Sequence, residues 1–144
     1  MNRGKPFHRR HVEEIAGLWR RQPCEVFTEY VVKLGGRRYY VDAFVNLGGY
    51  KIAIEYEMTT RYVLVNATVA LRVCHELQLV FPTARLRDQA RSKLAASLPR
   101  TEMERTAFLL QTCYEARTYI KGKRFLTGNR RAEKTGKAES ESGL

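Results

Sequence analysis

The stretch "RYYVDAFVNLGGYKIAIEYE", residues Arg38–Glu57, decides how this chain folds. Two runs rich in β-branched and aromatic residues flank a Gly-Gly pair. Two glycines accept the positive φ values of a tight hairpin, so the stretch predicts two antiparallel strands. A second Gly-Gly pair at 35–36 joins the first of these to "EVFTEYVVKL" at 25–34, which extends the hairpin to a three-stranded meander. Pairing symmetric about Gly48-Gly49 sets residue 46 opposite residue 51 and Asp42 opposite Glu55. Side chains alternate along a strand, so Lys51, Ala53, Glu55 and Glu57 share one face. Ile52, Ile54 and Tyr56 share the other, and Asp42 is expected on the face of Tyr40 and Phe44. Asp42 and Glu55 are then cross-strand neighbours, with about 5 Å between their Cβ atoms.

Like charges directly opposite destabilise a sheet. Removing either acid should therefore raise, or barely change, the stability of the metal-free chain. A divalent cation is the simplest compensation. Two carboxylates with a third one pleat away suit Mg2+ or Mn2+, and the absence of His and Cys from the cluster disfavours zinc. The competing reading neutralises the acids with Arg37, Arg38 and Arg61.

Before the meander, Val12, Ile15, Ala16 and Trp19 recur at helical spacing and predict a helix over 9–21, closed by Pro23. After it, the spacing predicts a helix over Arg61–Cys74 and a short buried strand in "ELQLVFP". Thr83 caps a further helix in "TARLRDQARSKLAASL". "ERTAFLLQT" reads as a last strand and "YEARTYI" as a short helix, with a single helix over Thr101–Ile120 as the alternative. The order αβββαβαβα implies an α/β fold with a mixed central sheet flanked by helices. One domain spans 1–122, with a basic N-terminal arm at 1–8. Residues 123–144 lose apolar periodicity and read as a basic, disordered tail.

The chain has 144 residues, 26 Lys and Arg against 15 Asp and Glu, and a net charge of +11. The tail does not explain the excess, since residues 1–120 alone hold 19 basic and 12 acidic side chains. Such a field concentrates polyanions, and nucleic acid is the commonest of them. The three cysteines are scattered and form no CxxC pair, which argues against a disulfide framework or structural zinc and suits a reducing cytoplasm. No apolar run reaches membrane-spanning length and no secretory leader is evident, so no membrane partner is expected.

The segments "YVDAF" and "IEYE" resemble the PD-(D/E)xK nuclease superfamily, the restriction-endonuclease-like fold, over roughly residues 9–120. There an acid on the second strand precedes an acid-x-lysine pair on the third. The resemblance implies a metal-dependent endonuclease that hydrolyses phosphodiester bonds in DNA, with RNA as the alternative substrate. Asp42 and Glu55 would hold Mg2+ near the backbone carbonyl of Tyr56. Glu57 stands where the family usually has Lys, and would act as ligand or base. Lys51 or Arg61 would replace the missing cation, with support from Thr59 and Thr60. An acid on the first helix, Glu14 or Glu13, is a further candidate. Arg9, Arg10, Arg37, Arg38, Arg61, Arg85, Arg87 and Arg91, with Lys93, Arg3 and Lys5, would contact phosphates. A homodimer is implied because one site cuts one strand. His8, His11 and His75 read as structural. Glu57 keeps open the alternative of a non-catalytic nucleic-acid-binding or assembly protein on the same fold.

Overall fold

The structure is a computed structural model and describes residues 6–120. Both Gly-Gly pairs turn the chain through left-handed backbone, with φ of +57° and +79° at Gly35-Gly36 and +60° and +97° at Gly48-Gly49. They join β1 (Glu25–Leu34), β2 (Arg37–Leu47) and β3 (Tyr50–Tyr56) into an antiparallel meander. Asn46 pairs with Lys51 and Ala43 with Ile54, the register required by symmetry about the second turn.

Beyond the meander the connections are crossovers. The helix α2 (Val63–Leu71) carries the chain to β4 (Glu76–Phe81), parallel to β3. Two helices, α3 (Ala84–Ala95) and α4 (Arg100–Glu104), then lead to β5 (Thr106–Leu110), parallel to β4. The result is a mixed five-stranded sheet in the order β1-β2-β3-β4-β5. All six residues of β4 are buried, as expected for a strand covered on both faces.

Each face of the sheet has its own core. The helix α1 (Pro6–Arg20) lays Val12, Ile15 and Trp19 against Ala43, Val45, Ile52 and Ile54. On the other face, Val63, Ala67, Ala90 and Leu94 of α2 and α3 pack on Val41, Phe44, Ala53 and Leu77. Leu86 N–H is capped by the Thr83 hydroxyl at 3.2 Å, as the sequence predicts.

The memberships of these cores reveal a shift in strand alternation. Val41 belongs to the α2–α3 face, yet Ala43, two residues on, belongs to the α1 face. On β1, Val26 packs on the α1 face and Val32 on the other, although both are even-numbered. The pairing stays in step throughout, with Thr28 opposite Ala43 and Tyr30 opposite Val41. Between them Glu29 adopts φ +50°. Both strands thus change alternation at the rung of Glu29 and Asp42. Asp42 falls on the α1 face and Phe44 on the other, so the expected sharing of one face by Asp42 and Phe44 is corrected.

Four further corrections concern elements. The first helix begins at Pro6, not residue 9, because proline is well accommodated in a first helical turn; part of the expected arm is helical. The second helix is shorter than Arg61–Cys74, and α4 was not expected. The segment "YEARTYI" is not a helix. A single 3-10 turn at Gln111–Cys113 is followed by irregular chain to residue 120. Its backbone is held from outside: Glu76 accepts from the N–H groups of Tyr119 at 2.9 Å and Ile120 at 3.4 Å. These bonds to a buried carboxylate outweigh local helix propensity. The order is therefore αβββαβααβ, without the final helix. Residues 1–5 and the expected tail, 123–144, lie outside the described residues.

Candidate active site at the parting of β2 and β3

The β2–β3 ladder runs from Leu47–Tyr50 to Ala43–Ile54. One rung further, a side chain takes over: the Tyr56 N–H donates to Asp42 Oδ2 at 2.8 Å. From the opposite side comes α1, where His8 Nε2 lies 3.2 Å from Asp42 Oδ2 and 3.2 Å from the Tyr56 carbonyl oxygen. A carbonyl can only accept, so His8 Nε2 carries the hydrogen. A carboxylate oxygen and a backbone carbonyl therefore converge on one point, at which an N–H donor sits.

The other two acids lie at the same end of β3. Asp42, Glu55 and Glu57 are 2%, 1% and 5% exposed, a rare state for carboxylates. Glu57 is fixed twice: its N–H donates to the Val80 carbonyl at 2.9 Å, and Oε2 accepts from Asn66 Nδ2 of α2 at 3.0 Å. Alternation gives Glu55 the face of Ala53 and Glu57, toward α2. The acids share one end of the sheet, but Asp42 is approached from α1 while Glu55 and Glu57 lie toward α2. The ladder ends at Ala43–Ile54 and the shift in alternation turns Asp42 to the α1 face, so the expected side-by-side placing of Asp42 and Glu55 on one face is corrected. A groove of about 260 Å³ opens onto Asp42, lined by His8, Arg9, Val12, Glu13, Thr28 and Glu29.

Two oxygen donors that converge fit a hard cation such as Mg2+ in kind, the Asp42 carboxylate and the Tyr56 carbonyl, whereas Glu55 and Glu57 lie toward α2. Among the described residues, no group of three His, Cys, Asp or Glu side chains is gathered closely enough to hold an ion by itself. An ion here would draw on the backbone carbonyl and on water, as Mg2+ commonly does.

The remaining candidates are dispersed. Lys51 is the second residue of β3, about 13 Å from Glu55 by strand rise, and its N–H donates to His75 Nδ1 at 3.0 Å. Glu14 lies 3.2 Å from His11 Nδ1, while Glu13 lines the groove and pairs with Arg20 at 3.3 Å. Thr59 and Thr60 form the turn after Glu57, and Lys93 Nζ of α3 donates to the Thr60 carbonyl at 2.8 Å. Arg10, Arg37, Arg61 and Arg91 lie over the rings of Phe7, Tyr39, Tyr62 and Phe108. Arg87 pairs with Asp88, and Arg85 and Arg38 are exposed. Among the described residues, no ion pair links Arg37, Arg38 or Arg61 to Asp42, Glu55 or Glu57.

Sequence reasoning gave His8 only a structural role and overlooked Asn66. His8 extends the stripe Val12–Ile15–Trp19 back by one turn, a signal missed because the helix was expected to begin at residue 9. Asn66 is the one amide in the apolar run of α2. His75 stacks on Tyr50 at 5.4 Å, and its Nδ1 accepts from the Lys51 N–H at 3.0 Å. His11 stacks on Tyr56 at 5.0 Å and bonds Gln111 at 2.7 Å. Gln111 also accepts from the Tyr56 hydroxyl at 2.8 Å. Burial, aided by the nearby Glu14 charge, pushes the Tyr56 phenol up.

The chain matches no protein-family model, no curated protein and no solved structure. Among the described residues, no helix is long and apolar enough to cross a membrane.

Proposed function

We propose that this chain is a metal-dependent nuclease acting on phosphodiester bonds in DNA, with the Asp42 carboxylate and the Tyr56 carbonyl as the convergent oxygen donors for Mg2+ or Mn2+ and Glu55, on the other face of the same sheet end, recruited when the ion binds. The observation that carries the reading is the convergence of Asp42 Oδ2 and the Tyr56 carbonyl on one point beside a groove. Three buried carboxylates at one sheet end in a chain of net charge +11 support it. So does the order helix, three-strand meander, helix, parallel strand, which is the order the restriction-endonuclease resemblance implies.

Within this reading each residue has a task. A bound divalent ion would lower the pKa of a water and offset charge on the phosphate under attack. Asp42 is held in place by the Tyr56 N–H, and an ion at the shared point would require the His8 ring to turn its N–H away. His8 orients Asp42 through its N–H and can turn it toward a phosphate oxygen. Arg9 stands in the groove to receive the phosphate, and the wider basic surface supplies affinity without sequence readout.

A second reading, a nucleic-acid-binding protein without cleavage, is favoured by one observation. Glu57 occupies the position of the family's lysine and is committed to Asn66. Incubation of plasmid, single-stranded and junction DNA with Mg2+, Mn2+ or EDTA separates the two. The nuclease reading expects cleavage that needs the metal and disappears in Asp42→Asn and Glu55→Gln, while binding persists. Binding with no cleavage of any substrate in either metal would establish the second.

A further inference from the structure

Past the rung where alternation shifts, the β1–β2 hairpin presents an exposed face. Val31 lies opposite Tyr40, and Lys33 opposite Arg38. Alternation sets all four on one side, because Val32 and Val41 between them are buried against the α2–α3 core. Val31 and Tyr40 are 41% and 42% exposed, and Lys33 and Arg38 are exposed as well. The face lies on the same side of the sheet as α1 but is not covered by it. Along β2 the order is cation, ring, acid: Arg38, Tyr40 and Asp42 follow one another on this face at steps of about 6.6 Å. Along β1, Lys33, Val31 and Glu29 run parallel to them, and Glu29 and Asp42 both line the groove.

We infer that this face is a stacking platform for an unpaired base of a single-stranded polynucleotide, leading its phosphate backbone to the groove at Asp42. The inference deepens the nuclease reading and rests on it for the destination of the strand. The charge of the face selects the occupant: its apolar pair is flanked by Lys33 and Arg38 in a chain of net charge +11. An aromatic ring bordered by cations accommodates any base with a free π-face, with phosphates neutralised alongside. Bases within a duplex have both faces already stacked, so the ring favours unpaired strands, whereas the cations serve both.

Fluorescence anisotropy tests this with the full chain in EDTA, using one labelled oligonucleotide, single-stranded or annealed to its complement. Tyr40→Ala is expected to weaken single-strand binding roughly 5- to 150-fold, the loss of one base stack, and to leave duplex binding within about twofold. Tyr40→Phe should retain native binding. Arg38→Ala and Lys33→Ala should weaken both forms and flatten the salt dependence by about 0.7 per contact on the single strand. Val31→Glu, at an exposed position, provides a second variant if Tyr40→Ala melts at a lower temperature, and should weaken single-strand binding in the same way. Native single-strand affinity in both Tyr40→Ala and Val31→Glu, or equal losses on duplex, would overturn the platform. So would a dimer in the native chain that Tyr40→Ala converts to monomer, since the face would then serve self-association. Tyr40-dependent binding without metal-dependent cleavage of any DNA would leave the platform standing and remove the nuclease reading. Cleavage with Tyr40-independent binding would do the reverse.

Discussion

Asp42 Oδ2 accepts the Tyr56 backbone N–H at 2.8 Å, so a candidate catalytic acid also serves as a rung of the sheet. The expectation from cross-strand repulsion, that removing this acid would not harm the metal-free chain, therefore reverses. Asp42→Ala leaves a buried N–H without its acceptor and should cost about 1–3 kcal/mol. Asp42→Asn keeps an acceptor at the same place and should remain close to native. Thermal unfolding in EDTA distinguishes them, and an Asp42→Ala chain as stable as the native one would restore the purely repulsive account.

Divalent ions should stabilise the native chain by mass action, by about 2.7 kcal/mol at a concentration one hundred times the Kd. Asp42→Asn and Glu55→Gln should lose that increment and keep their melting temperatures in EDTA and Mg2+ alike. Calorimetric titration with Mn2+ checks the same point without relying on turnover. Equal stabilisation of native and variant chains would place the ion elsewhere.

Glu57→Lys divides the two functional readings. The Asn66 amide now donates to Glu57 Oε2 at 3.0 Å, and by turning over it could offer its oxygen to an ammonium instead. The variant exchanges one buried charge for another, so it should fold with a stability set by how far the neighbouring acids and the Asn66 oxygen offset a desolvation penalty of several kcal/mol. Retained cleavage would show that the site accepts the family's usual cation. Abolished cleavage in a folded variant that still binds DNA would assign Glu57 a direct part.

Tyr114 should matter to stability more than its place in an irregular segment suggests. Its hydroxyl accepts from Trp19 Nε1 at 2.7 Å and donates to Gln78 Oε1 at 2.6 Å. Gln78 donates in turn to Glu76 Oε2 at 2.8 Å and to the Arg117 carbonyl at 2.9 Å. Tyr114→Phe removes the link and strands two buried polar groups, at a cost of about 1–3 kcal/mol each before relaxation. Urea unfolding followed by Trp19 fluorescence measures the loss. Native-state proteolysis should then cut residues 114–120 faster.

Thiol chemistry should report the core. Burial holds the Cys74 thiol neutral and pushes its pKa up to about 12, from an ordinary value of 9.0. A thiol whose pKa is raised by folding contributes stability that is complete below about pH 9. That contribution fades as pH climbs toward 12, because the unfolded chain ionises first. At pH 8 a disulfide reagent should label the exposed Cys113 quickly and the half-buried Cys24 slowly. Cys74 should react only on unfolding. Rapid labelling of all three thiols in the folded chain would contradict the burial of Cys74.

The meander was legible from the sequence because its determinants are local. Gly35-Gly36 and Gly48-Gly49 require left-handed turns, and a tight turn sets the register of the strands it joins. The helical stripe of Val12, Ile15 and Trp19 was legible for the same reason, as was the place of Asp42, Glu55 and Glu57 near one end of two neighbouring strands, but not the faces of the sheet to which they turn. Tertiary structure decided what those side chains meet. The left-handed backbone at Glu29, a residue with no intrinsic need for it, coincides with the shift that sends Asp42 toward α1 and away from Phe44. No pattern of period two announces such a shift. His8 reaches Asp42 only because α1 packs across the sheet. Residues 114–120 forgo a helix because Glu76, far off in sequence, supplies acceptors for their N–H groups. Local propensity amounts to tenths of a kcal/mol per residue, whereas a buried polar group left unsatisfied costs about 1–3 kcal/mol. Where the two disagree, the contacts made across the fold prevail.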